Sequence, residues 1–418
     1  MRFFESLEAR ALLTAAAPTA LEVYFVQLVN RARANPAAEA KRYGLSSVNE
    51  GPPSTPLTNA PKQPLAINAF LVSAARKQAT WQLTPPKGHN TSGNLDHFDG
   101  GTSTPTSRAL AEGYTGTAGW ENLAWNSMSG TAPTQAAVDL SHQFLFKDFN
   151  GQFSVAGRGH RVNILNDGLK EVGIGIAVGP FKNGSNTLNV QASAEDFGLP
   201  ATGSFICGVA YADTVKVDNF YTPGEGLGSI TITATRVSDN AKFTTKTGAA
   251  GSYAIQLDDG VYNVTASGKG LGAAQTYYNV VVSGRNVERD FVKPGSKDTT
   301  PPSASAQTAD ITTAGGTTAT FTATFNDTGL IKAATVGAGD IQVVGPNGFL
   351  QTATFVSKNP TLDAVSIVAT YRITAPGGTW DAADDGVYSI KLLAKKVTDK
   401  AGNAAAAGTL GTFNVSIT

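Results

Sequence analysis

At 418 residues the chain is long for a single core, and ordinary domain sizes suggest about three units. Its 32 Lys plus Arg balance 32 Asp plus Glu, which excludes the broad basic field that nucleic acid would attract, and its charged fraction of 15% is below the ~25% usual in soluble domains. No run approaches the ~20 apolar residues of a spanning helix, and a single cysteine, Cys207, excludes an intrachain disulfide.

From Leu21 to Tyr43, residues Leu21, Phe25, Leu28, Val29 and Ala32 follow helical spacing. Asn35-Pro36 should interrupt that helix, with Pro36 opening a second one as its first residue. Five prolines between Glu50 and Pro64 predict an extended loop, and Asn68–Leu83 reads as a helix with one mostly apolar stripe. The loop carrying His89 and His97 follows, with Gly88, Gly93, Gly100 and Gly101 giving the backbone room to turn. A third helix is predicted over Pro133–Phe149, and strands over Val172–Val178 and Thr187–Ala192.

After Pro200 the pattern changes to alternation of β-branched and aromatic with polar residues, punctuated by turns such as Asp258-Asp259-Gly260 and Ser283-Gly284. Cys207 sits in a predicted strand, Ser204–Tyr211, and reads as a small buried hydrophobe. Asp213, Asp218 and Glu225 put several hard oxygen ligands on one loop that could hold calcium, against the simpler reading of a solvated turn. Residues 295–302 read as a linker, and strand alternation resumes from about 303 to the end.

All four histidines, His89, His97, His142 and His160, fall in the N-terminal half. His97 precedes Trp120-Glu121-Asn122-Leu123-Ala124, His160 lies in Gly159-His160-Arg161, and Glu171-Val172-Gly173-Ile174-Gly175 follows; Arg108, Gly113 and Tyr114 complete a fourth ordered motif. These residues resemble the CAP superfamily, the cysteine-rich secretory, antigen 5 and pathogenesis-related proteins, in its bacterial SCP-like type. The middle motif has Trp120 where the family pattern has glycine, and the resemblance spans about residues 20–200.

The resemblance implies an α-β-α sandwich, so the fold class expected is α+β: a CAP fold followed by two all-β sandwich domains. The expected organisation is an export segment over 1–19, the CAP domain over 20–200, a prealbumin-like (carboxypeptidase-regulatory-like) sandwich over 204–294, a linker over 295–302 and an immunoglobulin-like sandwich over 303–418. Met1 to Ala17 resembles a Phe-Glu-x-Leu-Glu-x-Arg-x-Leu-Leu-Ser/Thr-Ala segment found at the start of secreted or surface proteins of certain bacteria, which implies secretion or surface display.

In the CAP family two histidines and two acids share one cleft, which carries over to His97, His160 and Glu121. Asp139, His142 and Asp148 are the candidates for the second acid, and the cleft residues expected to carry any chemistry are His97, Glu121 and His160, with His142 and Asp148 beside them. Two imidazoles and a carboxylate around an open position would suit zinc or another divalent cation held by His97 and His160. The partner expected is an extracellular lipid, polysaccharide or protein. The alternatives are a metal-dependent extracellular hydrolase using the same cleft, an adhesin whose CAP domain is inert, and a polar cluster that only holds loops together.

Overall fold

A computed structural model of the chain describes residues 17–84, 95–149, 154–293 and 298–417. Most of the expected export segment, His89 and part of the 295–302 linker lie outside the described residues.

The first helix, α1 (Ala20–Ala34), is closed at its start by a capping box between Thr19 and Glu22. As the sequence predicts, it breaks at Asn35, and α2 (Pro36–Arg42) begins with Pro36 in its first turn and the Asn35 side chain capping Ala38 N. Arg33, fully buried, donates to the carbonyls of Gln63, Ile164, Asn166 and Leu169 and so ties the proline-rich loop to the loop before the sheet. A short strand β1 (Ala66–Ile67) leads into α3 (Ala69–Leu83), capped by Asn68.

After α4 (Pro105–Ala111) the chain enters a long strand, β2 (Thr117–Ser127), which the sequence reading did not foresee. Helices α5 (Gln135–Lys147) and α6 (Gly159–Ile164) follow, then β3 (Glu171–Asn183) and β4 (Asn186–Leu199). The sheet order is β1-β3-β4-β2, which leaves β2 at an edge. α3 and α4 cover one face of the sheet, while α1, α5 and α6 share a hydrophobic cluster with Val172, Ile174 and Phe197 on the other. Gly173 and Gly175 make the first packing possible: a methyl at either would run into the backbone of Leu71–Val72 or Ala75–Arg76 in α3.

The β-rich region contains four further sheets. β5 (Ser204–Ala212), β8 (Ser252–Leu257), β11 (Val287–Glu288) and β12 (Phe291–Lys293) form one, and β6 (Thr231–Arg236), β7 (Lys242–Lys246), β9 (Gly260–Ser267) and β10 (Gln275–Val282) form the next. Ile206, Ile232, Ile255, Tyr262 and Val264 fill the space between them. The last two sheets are β13 (Ser303–Gln307), β14 (Thr318–Ile331), β18 (Ala364–Thr374) and β17 (Thr354–Asn359), then β16 (Leu350–Thr352), β15 (Ile341–Val344), β19 (Gly386–Leu392) and β20 (Gly408–Val415). Their core holds Trp380, fully buried and edge-on to Tyr388 and Phe413.

β5 is buried along nearly its whole length because both of its faces are covered. Ile206 and Ala210 face the first sandwich. Val209 and Tyr211 join the α1 cluster, and Phe205 and Cys207 pack on Ala66. Hydrogen bonds run along the same seam: Asn286 Nδ2 donates to Pro64 O and Lys170 O at 2.9 and 2.7 Å, and its backbone N–H donates to Gln63 Oε1 at 2.9 Å. Among the described residues no helix is long and apolar enough to cross a membrane.

Candidate functional site

The polar residues of the N-terminal domain gather on the edge strand β2 and its neighbour β4. Successive side chains of a strand point to opposite faces. Glu121 lies opposite Asp196, itself opposite Gly173, on the α3 face; Asn122 lies opposite Glu195, itself opposite Ile174, on the α1 and α5 face.

On the α3 face, His97 Nδ1 lies 2.7 Å from Glu121 Oε1. The loop is aimed by α3: Gln78 and Gln82 both donate to Asp96 O at 2.7 Å. Asp96 in turn accepts from the backbone N–H of Phe98 and Gly100, and the turn is completed by left-handed backbone at Asp99, Gly100 and Gly101. Arg108 donates to the other oxygen of Glu121 and, at 3.1 Å each, to His97 O and Ser103 Oγ, with Asp99 Oδ2 3.3 Å away. Behind Glu121, Asp196 is completely enclosed; burial first, and then the neighbouring Glu121 carboxylate, push its carboxyl well above the usual range.

On the opposite face, His160 Nδ1 lies 2.7 Å from Asp148 Oδ1. Asp148 closes α5 in the left-handed conformation, and its Oδ2 accepts from Arg161 N at 2.9 Å. Asn122 donates to His160 O at 3.2 Å and to Glu195 Oε2 at 2.7 Å, while Asn163 donates to Asn122 Oδ1 at 2.9 Å. Burial pushes Glu195 up to about 8, with the Asn122 hydrogen bond acting the other way. Arg161 is scaffold, donating to the carbonyls of Val48, Glu50, Phe146 and Lys147.

The structure therefore brings His97 to Glu121 and His160 to Asp148, as two imidazole–carboxylate pairs on opposite sides of one edge strand. Of the candidates for the second acid, Asp148 is the one beside a histidine. Asp139 accepts from Tyr24 Oη at 2.7 Å, and His142 lies fully buried in the helical layer, 3.1 Å from Glu39. Among the described residues, Asp298, Asp327 and Asp399 form the one group of three whose ligand atoms all lie within 4.8 Å of one another. His97, Glu121 and His160 do not converge that closely, so the tight donor set of a tetrahedral zinc site is not formed in this arrangement. His97 instead turns Nδ1 into a hydrogen bond with a carboxylate, which fixes its ring, while His160 Nδ1 stands within ion-pair distance of Asp148 without a hydrogen bond between them.

In the second unit, Glu225 accepts four backbone N–H groups, from Thr214, Val215, Lys216 and Thr222. Asp213 accepts from Asp218 N and Asn219 N, and Asp218 from Phe220 N. The loop is thus held by its own amides. Sequence reasoning missed Glu39, Glu195 and Asp196. The last two could have been found by extending the strand past Ala192, since Ala194-Glu195-Asp196-Phe197 then puts one carboxylate on each covered face.

Residues 26–191 match the family model for CAP, described as the Cysteine-rich secretory protein family. No curated protein matches the chain. Among solved structures it is similar to the Bacillus anthracis TIE protein, at 12% identity over 59% of this chain and 41% of that one, TM-score 0.17. It is also similar to the Streptococcal ancillary pilin, at 10% identity over 55% of this chain and 76% of that one, TM-score 0.16. The chain spans less than half the length of the first of these. The family match and the helix-covered sheet agree: the N-terminal part of this protein is a CAP domain, and a β-rich region of several sheets follows it.

Proposed function

We propose that the CAP domain binds an extracellular ligand at the edge of β2, in a secreted or surface-displayed bacterial protein whose β-sandwiches serve as spacer or adhesive modules. The observation that carries this reading is the His97 imidazole. Its side chain is 39% exposed, its Nδ1 is anchored on a carboxylate that is 1% exposed, and that carboxylate is braced by Arg108. A part-exposed ring anchored in this way keeps one orientation, the preorganisation that favours binding. His160, 13% exposed and beside Asp148, is the second imidazole near this edge. The name of the family and the resemblance of the first residues to an export segment support secretion. The prealbumin-like and immunoglobulin-like subtypes of the sandwiches belong to the same proposal.

The metal-dependent hydrolase has less support, because His97, Glu121 and His160 do not converge as one ligand set. The nearby serines are engaged as well: Ser103 bonds Asp99 and Arg108, and Ser107 forms a capping box with Thr104. The test uses the full chain against phospholipid vesicles and immobilised cell-wall polysaccharide, with His97→Ala and His160→Ala alongside. Binding lost in either variant at an unchanged melting temperature is the expected result, and undiminished binding by both would overturn the proposal. Elemental analysis of the same samples separates the metal alternative, which requires a stoichiometric divalent ion that disappears in His97→Ala.

A further inference from the structure

Asp298, Asp327 and Asp399 come from three separate segments: the strand-free stretch before β13, the interior of β14, and the turn before Asn403. Their carboxylate oxygens lie within 4.8 Å of one another. Asp327 and Asp399 are 5% and 1% exposed. Among the described residues none of the three is ion-paired with Lys, Arg or His. Carboxylates gathered this closely, two of them buried, repel one another, which folding would select against unless something offsets it.

The hydrogen bonds account for only part of the cluster. Asp399 accepts from Asn403 N at 2.8 Å and Asn403 Nδ2 at 2.6 Å, and Asp298 Oδ1 accepts from Thr300 N at 3.0 Å. Asp327 Oδ1 accepts from Gly329 N at 2.6 Å, but its Oδ2 is buried with no hydrogen-bond partner. A fourth oxygen is also unclaimed. Asn219, from the turn of the preceding unit, donates its Nδ2 to Asp298 Oδ1 at 2.6 Å, while its own Oδ1 is buried without a partner. The contrast with Glu225, whose oxygens accept four amides, is what separates a self-satisfied loop from a set of donors awaiting an ion.

We propose that Asp298, Asp327 and Asp399, with the amide oxygen of Asn219, form a calcium site at the junction of the two β-sandwiches, and that the ion locks these modules together. The ligands are hard oxygens, mixed in charge and drawn from four segments, which suits the irregular coordination of calcium better than the strict octahedron of magnesium. Two of the segments flank the module boundary, and the boundary is already in contact: Tyr277 Oη in β10 donates to Asp327 O at 3.3 Å, and Tyr278 N donates to Ser366 Oγ at 3.3 Å.

The experiment is calcium titration of the EDTA-stripped full chain by calorimetry, with melting curves in calcium, magnesium and EDTA. Asp327→Asn and the more accessible Asp298→Asn are run in parallel. The wild type should take up one more equivalent of calcium than either variant. Its melting temperature should rise by roughly 5–10 °C at a hundredfold excess over Kd. In EDTA, Asp327→Asn should melt no lower than wild type, having lost a repelling charge, and in calcium it should melt below it; a merely structural aspartate would lower both. Equal calcium uptake by the wild type and both variants, no uptake by the wild type, or equal tightening by magnesium would each overturn the assignment.

Discussion

His142 Nε2 lies 3.1 Å from Glu39 Oε1, and both side chains are almost wholly enclosed between α2, α5 and the rings of Phe25, Tyr43 and Phe146. Burial alone would favour neutral Glu39, yet the hydrogen bonds from His142 and Arg31 hold it down at about 2. Burial drives His142 the other way from its usual range, downward, towards the neutral ring. A carboxylate depressed in the fold contributes stability above its unfolded value, lost as pH falls towards 2. A histidine depressed in the fold contributes stability that fades as pH falls below 6.5. Both terms therefore have the same sign. Urea unfolding between pH 3 and 8 should show the stability advantage of wild type over Glu39→Ala shrinking as the solution is acidified. Glu39→Ala, which strands Arg31 and His142, should cost about 3–5 kcal/mol near neutrality.

Glu195 should behave in the opposite sense. Its carboxyl, raised to about 8 by burial, holds a proton in the fold that the unfolded chain releases above 4.5, so its contribution is present at low pH and is lost as pH rises through 8. Glu195→Gln keeps the shape and removes the charge. The variant should gain stability relative to wild type between pH 5 and 8, with a flatter profile over that window; an unchanged slope would refute the assignment.

Glu121 and His97 should separate stability from binding. Glu121→Ala leaves the Arg108 guanidinium, 7% exposed, without its main partner and should cost about 3–5 kcal/mol in denaturant unfolding. His97→Ala removes a side chain that is 39% exposed and should cost about 1 kcal/mol or less. Ligand uptake should nonetheless fall in both.

Gly173→Ala and Gly175→Ala each place a methyl against α3 backbone rather than against a side chain that could move aside. Overpacking of this kind typically costs about 1–3 kcal/mol, and the rigid neighbour places these sites at the upper end. Gly184→Ala would meet no such obstruction and serves as the contrast, its penalty coming only from a positive φ of 61°.

Much of this arrangement was legible in the residues. Asn35-Pro36 marked a helix boundary through local chemistry, and Gly173 and Gly175 belong to a motif whose spacing survives in the chain. β2 was not legible, because Trp120 to Trp125 is covered on both faces and lacks the polar alternation that betrays a half-exposed strand. Glu39 was hidden for a different reason: nothing local distinguishes it from a surface glutamate on a short helix, and only its long-range neighbour His142 makes it special. Arg33 is similar, since its four carbonyl acceptors come from residues 30 to 136 positions away.

The strand Ser204–Ala212 has one side in the first sandwich and the other against α1 and β1. Cutting the chain after Leu199 would strip Val209, Tyr211, Tyr221 and Val292 from that helix and wet a surface that folding has dried. The CAP domain is accordingly not a bead on a string but a head bolted to its neck, and whatever docks at His97 meets a partner whose bearing is set by the sandwich behind it.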